Sequence, residues 1–428
     1  MRIARTTAYV AAASAALIAV AAVSGVSEAA NWAQWRGPER NGISAEKGLL
    51  QEWPADGPKL LWQANDLGDG YSTPAIVGDR IYLLGSRGLE DEFVQCLSVA
   101  DGKPIWSQRI GNVGNPKQFP PYPGARSTPT VDGDFLYALG SDGDLVKLDV
   151  KTGDIAWRKN LRSDFGGKPG EWAYSESPLV DGDRVVCTPG GPDATIVALH
   201  KQNGDVIWKS PIADEEAAYA SIVKAEIAGK TEYVQFLSKG LVGVDAATGK
   251  PEWRYDRTAQ GSMANIPTPI VRGDYIYSAS GKGGGALVKI VPKDGGQEVE
   301  EVYFEQQLPR AIGGAVLVGD HLYGTNSDAL LCVDFLTGDV VWRNRSRGAA
   351  GVCYADGMLY LHGEGNGEIA LVEATPEEYR ERGRFAPPNA PDRGKSKSWA
   401  YPVVADGKVY IFDWGTLWCF DVSSPSGE

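Results

Sequence analysis

STPTVDGDFLYALGSDGDLVKLDVKTGDIAW, residues 127–157, decides the fold. It holds three short β-type runs, PTV, FLYAL and LVKLDV, and a fourth opens at IAW. Between them stand DGD, SDGD and KTGD. Such Asp-Gly and Thr-Gly pairs make tight turns between antiparallel strands, because glycine reaches backbone angles that other residues avoid. The stretch therefore reads as a four-stranded meander. One such sheet has two faces to bury and cannot cover both alone, so similar units must pack beside it.

Copies of the unit recur along the chain at a period of roughly 40–50 residues. Successive copies end at Trp106, Trp157, Trp208 and Trp253; Tyr303 then stands where a Trp is expected, followed by Trp342 and the apolar Phe385. The eighth copy, AYPVVADGKVYIFDWGTLWCFDV, stops after three strands, while KLLWQ at 59–63 is a spare strand ahead of the first copy. Pairing the spare strand with the strand near 417–422 completes the last unit and leaves no open edge at the join. An open solenoid would need distinct polar caps, and the sequence has none. The expected fold is all-β, an eight-bladed β-propeller of four-stranded antiparallel blades closed by its N-terminal strand.

The organisation expected around that ring is simple. Arg2 and Arg5 precede an Ala/Val/Leu/Ile run at about 9–23 and a small-residue Ser27-Glu28-Ala29 site, the pattern of a secretory signal over 1–29. Residues 30–58 form an irregular Trp-rich lead-in whose Trp32, Trp35 and Trp53 are expected to pack on the main body. One propeller domain covers 59–422, and 423–428 is a tail. The signal run is short for a membrane span, so the chain is expected to be exported, periplasmic or secreted, without a stable membrane anchor. A net charge of −13 argues against nucleic acid or an anionic membrane surface as partner. The five cysteines are scattered through the repeats with no C-x-x-C pair, and read as small buried hydrophobes.

The recurring endings LDVKTGDIAW, VDAATGKPEW, VDFLTGDVVW and VADGKPIW resemble the tryptophan-docking repeats of the pyrroloquinoline-quinone (PQQ)-like propeller superfamily. The lead-in NWAQWRGPERNGIS is similar to the start of many secreted PQQ-like repeat proteins, and the resemblance extends over about 31–422. That superfamily includes eight-bladed quinoprotein alcohol dehydrogenases and the non-enzymatic propeller subunit of the outer-membrane β-barrel assembly machinery. In such repeats the Gly gives the hairpin its positive φ, and Asp149, Asp245, Asp334 and Asp421 are placed to cap turn amides. Trp106, Trp157, Trp208, Trp253 and Trp342 are then inter-blade docking groups.

Function is expected on the face that carries the long loops between one blade's fourth strand and the next blade's first. Just ahead of the inner strands stand Tyr71, Arg126, Glu176, Asn265, Arg310 and Trp399, a hypothetical ring around the axial funnel. Two guanidiniums, a carboxylate, an amide and two aromatics suit an anionic planar ligand. The resemblance implies PQQ as that ligand, with calcium on Glu176 and Asn265. Yet the chain lacks a vicinal Cys-Cys pair, a clear catalytic Asp and a C-x-x-C-H haem site. His200, His321 and His362 are not spaced as a metal set, and GKGGGA at 281–286 lacks the end of a phosphate loop. The leading expectation is a binding or assembly scaffold with a protein or small-molecule ligand at the funnel face. The alternative is a PQQ- and calcium-dependent dehydrogenase; a third reading is carbohydrate or peptide binding through Tyr71, Trp172 and Trp399.

Overall fold

A computed structural model describes residues 31–114, 122–262, 264–345 and 348–425. The expected secretory segment, 1–29, and the end of the tail, 426–428, lie outside the described residues. Eight sheets follow one another in chain order; six are formed by four consecutive antiparallel strands alone, one adds a short parallel strand from the lead-in, and one takes its fourth strand from the N-terminal side. The opening stretch is typical: Thr130–Asp132, Phe135–Leu139, Asp144–Asp149 and Ile155–Asn160 pair in sequence. The eighth sheet joins Val403–Ala405, Lys408–Asp413 and Thr416–Asp421 to Lys59–Ala64, with Lys59 opposite Asp421 and Ala64 opposite Leu417. The N-terminal strand thus closes the ring. The protein is an eight-bladed β-propeller.

The blade-to-blade joints explain the recurring motif. The indole N–H groups of Trp106, Trp157 and Trp208 donate to Val150 O, Lys201 O and Ala246 O of the following blade at 3.1, 3.1 and 3.2 Å. Trp342 donates to Thr375 O at 2.9 Å, and Trp62 of the closing strand to Val99 O at 2.9 Å. Tyr303 substitutes its hydroxyl, 3.1 Å from Phe335 O. Each ring leans on the hairpin of the neighbour it bonds; a Cβ on Gly153, whose φ is +79°, would come within 2.6 Å of the Trp106 ring. Glycine is needed there for its backbone angle and for the approach of the indole. The turn aspartates cap the same hairpins: Asp149 accepts from Lys151 N and Thr152 N at 2.7 and 3.0 Å. These bonds hold its carboxyl below the usual carboxylate range.

Trp253 departs from this pattern. Its indole N–H bonds Glu232 Oε2 of its own blade at 2.6 Å. The following blade has replaced the short Thr-Gly hairpin by two ten-residue strands, Gly284–Lys293 and Gly296–Glu305, so no tight turn lies in reach. The Trp253 ring is still buried, among Ile276, Val288 and Ile290 of that blade. All five cysteines are buried and free.

The lead-in does more than pack on the outside of the ring. Trp32 N donates to Ile76 O of blade one, and Val131 N of blade two donates to Ala33 O, both at 2.8 Å. The Arg40 guanidinium reaches Ser177 O and Pro178 O of blade three at 2.8 and 3.1 Å. Trp35 bonds Thr268 of blade five at 2.9 Å, and Arg36 reaches Ala315 O of blade six at 2.5 Å. Strand Ile43–Ser44 then pairs parallel with Tyr354–Ala355 of blade seven. In a closed ring only the axis lies within reach of all these inner strands. Residues 31–44 are therefore a hairpin pushed up the axial channel. Trp32 pairs antiparallel and Ser44 parallel to their inner strands, so the hairpin enters and leaves at the same end. Its turns carry Arg36 and Arg40 at φ +58° and +54°, in the left-handed region that non-glycine residues occupy at a cost.

Candidate functional site

The opposite end of the channel opens into a funnel, and its floor is Trp35. A cavity of about 280 Å³ lies there, walled by Tyr71, Arg126, Ser175, Ala264, Ile312 and Trp399 from segments that lead into inner strands. Tyr122, Trp172 and Tyr219 close its sides. The rings brace one another at tilted angles. Tyr71 and Trp399 stand 4.7 Å apart between centroids with planes at 46°, Tyr122 and Trp399 4.9 Å at 52°, and Trp172 and Tyr219 5.9 Å at 54°. Offset and tilted contacts of this kind suit the quadrupoles of aromatic rings.

Three of the six residues expected around the funnel, Tyr71, Arg126 and Trp399, line this one cavity. Arg126 places its guanidinium 5.8 Å from the Tyr71 centroid and donates to the backbone carbonyls of Tyr122 and Trp172. It is a tie between two loops: its Nη groups are committed to main-chain oxygens. Burial lowers its pKa, and Tyr71, Glu92 and Tyr219 draw it back up. Burial also pushes the Tyr71 phenol up to about 12.

Glu176, Asn265 and Arg310 are not in the cavity wall. Glu176 is buried and accepts from Thr188 N at 2.7 Å, Thr188 Oγ1 at 3.1 Å and Gln235 Nε2 at 3.4 Å. Burial pushes its carboxyl up to about 8, against the Thr188 hydrogen bonds and the nearby Arg40. Asn265 gives its amide N–H groups to Leu237 O and Ser238 O at 2.7 and 3.1 Å, leaving a buried Oδ1 without a partner. Arg310 donates to Gly281 O. A calcium–quinone set needs an ionised carboxylate facing the cavity. Glu176 lies outside the cavity wall, and both its oxygens are taken by Thr188 and Gln235, so the pair does not fit that group. Among the described residues, no cluster of three or more His, Cys, Asp or Glu side chains is placed to hold a metal ion.

Two features escaped the sequence reading. The first is Trp35 as the cavity floor, since nothing in NWAQWRGPERNGIS signals entry into a channel. The second is Glu92, wholly buried, whose Oε2 accepts from Ser141 N at 2.9 Å and Ser141 Oγ at 2.5 Å. Its Oε1 has no partner, and burial pushes the carboxyl up to about 7 against the pull of Arg126. A lone Glu opening a β-run carries no signal of burial.

Fold and site together define an eight-bladed propeller whose axis is stopped by its own N-terminal hairpin and whose funnel is an aromatic box. The model of one family, described as outer membrane protein assembly factor BamB, matches residues 90–344, more than half of the chain. The protein belongs to this family of PQQ-like repeat propellers. BamB of Salmonella typhimurium is 28% identical over 141 residues, 32% of this chain and 31% of the relative. A quinoprotein ethanol dehydrogenase of Pseudomonas aeruginosa is 32% identical over 162 residues, 35% of this chain and 25% of the relative. The matched stretch thus spans less than a third of either curated relative. The solved quinohemoprotein alcohol dehydrogenase of Comamonas testosteroni is similar with a TM-score of 0.67 at 14% identity, covering 93% of this chain and 81% of that one. That likeness is one of fold alone.

Proposed function

We propose that this chain is an exported propeller that holds a protein partner on its funnel face, as an assembly or binding scaffold without chemistry of its own. The observation that carries this reading is the funnel itself. Its walls are largely aromatic, while Glu176, the carboxylate a quinone–calcium site would use, is hydrogen-bonded to Thr188 and Gln235 away from the cavity. Membership of the BamB family supports the same direction, since those relatives are named as outer membrane protein assembly factors. Export rests on Arg2, Arg5 and the apolar run that follows, with one propeller domain over 59–422 after the lead-in. Among the described residues, no helix is long and apolar enough to cross a membrane.

The test is an absorbance titration of the purified full chain with PQQ and Ca²⁺. The reading expects no saturable binding into the high micromolar range. Tight binding that is lost in Glu176→Ala and in Asn265→Ala would replace the scaffold by a quinoprotein.

A further inference from the structure

The cavity's own chemistry narrows what a partner would place in it; the inference rests on the scaffold reading above. Seven of the twelve lining residues are aromatic, and Ala264, Ile266 and Ile312 complete the carbon surface. Several of its polar groups are already engaged. Tyr401 donates its hydroxyl to Ile312 O at 2.8 Å, the Tyr219 hydroxyl accepts from Trp172 N at 3.1 Å, and Arg126 is held by two carbonyls. Sugar hydroxyls entering this box would lose water and meet mostly ring and alkyl carbon, a penalty of about 1–3 kcal/mol for each left unsatisfied. A volume of about 280 Å³ also falls at the lower edge of small-molecule sites, which run from about 300 to 1,000 Å³. It suits one large side chain.

The rim supplies the second half of the argument. The chain carries a net charge of −13, yet cations gather at the funnel mouth. Lys397 and the exposed Lys395 lead into Trp399; Arg310 stands two residues ahead of Ile312 and bonds Gly281 O, beside the exposed Lys282. The acids near them include Asp69, whose charge acts on Tyr71, Glu171 next to Trp172, Asp392 ahead of Lys395, and Glu364, whose pKa burial raises and Lys397 lowers. Among the described residues none of these four cations is held in an ion pair, so their charge is open to a partner. Complementary charge steers a partner and fixes its register, while a desolvated aromatic in a pocket supplies most of the affinity.

We propose that the funnel cavity takes one bulky apolar side chain, aromatic by preference, from an acidic stretch of a partner polypeptide. The incoming ring meets tilted faces and edges on all sides, and acidic residues flanking it lie against Lys282, Arg310, Lys395 and Lys397.

The probes are short fluorescein-labelled peptides with a central Trp between Asp and Glu, the same peptide with central Ala, and a third with Trp between Lys residues. Each is titrated into the full chain and followed by fluorescence anisotropy. The acidic Trp peptide is expected to bind at least about tenfold more tightly than the Ala peptide, a difference of about 1.4 kcal/mol. It should also outbind the Lys-flanked peptide, with the gap closing at high salt. Ala264→Trp fills the cavity from one loop and Ser175→Trp from another; whichever keeps the wild-type Tm should abolish the preference for Trp over Ala. Equal binding of the Trp and Ala peptides, tighter binding of the Lys-flanked one, or no effect of a folded filler variant overturns the proposal. So does free indole-3-acetate competing as well as the peptide, which would assign the cavity to small aromatic anions. If the peptides fail and PQQ also fails to bind, the anchor falls while the scaffold reading stands; PQQ binding removes both.

Discussion

Trp35 and Tyr401 meet edge to face, with ring centroids 4.8 Å apart and planes at 76°, although one lies on the N-terminal hairpin and the other just ahead of the inner strand of blade eight. The contact fastens the axial stopper to the funnel wall. Arg36 adds its guanidinium 5.5 Å from the Tyr401 centroid, and the Trp35 indole is tied to Thr268 across the channel. The floor of the cavity is thus built by a segment outside the blade repeats. Trp35→Ala is expected to deepen the funnel and lower Tm. The loss should be smaller than the about 3–5 kcal/mol of a fully buried Trp truncation, because the ring is only half-buried. Thermal melts, with dye uptake into the enlarged cavity, check both effects.

Two hairpin glycines separate two costs that usually travel together. Gly153 and Gly295 both sit at positive φ, +79° and +84°. A Cβ on Gly153 would strike the Trp106 ring, whereas one on Gly295 meets nothing within 4 Å. Gly295→Ala should therefore cost only the left-handed backbone penalty, about 1–2 kcal/mol. Gly153→Ala should cost clearly more, since the Trp106 indole must shift or lose its bond to Val150 O. Urea denaturation of the two variants under one set of conditions gives the difference.

Burial pushes the Glu176 carboxyl from its ordinary 4.5 up to about 8. The folded protein keeps a proton that the unfolded chain releases near pH 4.5. Its contribution to stability is therefore complete below that value and is lost as pH rises through 8. Glu176→Gln mimics the protonated acid and keeps an oxygen to accept from Thr188 N. The variant should match the wild type near pH 5, exceed it at pH 8–9 and show a flatter Tm–pH profile. A parallel profile for the two proteins would refute the neutral carboxyl.

Arg126 ties Tyr122 O to Trp172 O, so Arg126→Lys should loosen two cavity loops while leaving the blades intact. A lysine ammonium lacks the planar fork that spans two acceptors. Hydrogen exchange is expected to rise around Tyr122 and Trp172 and to stay unchanged in strands such as Phe135–Leu139.

The ring was legible in the sequence because turn glycines, period-two strands and docking Trp residues repeat with the blades. Even the closure could be read, since KLLWQ was a strand short of a sheet and the eighth unit a sheet short of a strand. The site was less legible, for a physical reason. Tyr71, Arg126 and Trp399 could be placed at the funnel from their position ahead of inner strands, but position does not say where a side chain's bonds go. Glu176 and Asn265 occupy equivalent positions and turn inward to Thr188, Leu237 and Ser238 instead. The axial hairpin obeys no repeat at all, and Trp253 loses its dock only because a neighbouring hairpin grew. Long-range placement of this kind leaves no local periodicity to read.

The most direct test of the central claim is site-specific photo-crosslinking in the cell envelope of the native host. One photoreactive residue replaces Tyr122 at the funnel, and another replaces Asp406 in the exposed hairpin at the opposite end of the channel. The account expects one discrete protein adduct from position 122, lost when Ala264→Trp fills the cavity, and none from 406. Adducts from 406 with none from 122, or a funnel adduct indifferent to the filled cavity, would contradict it.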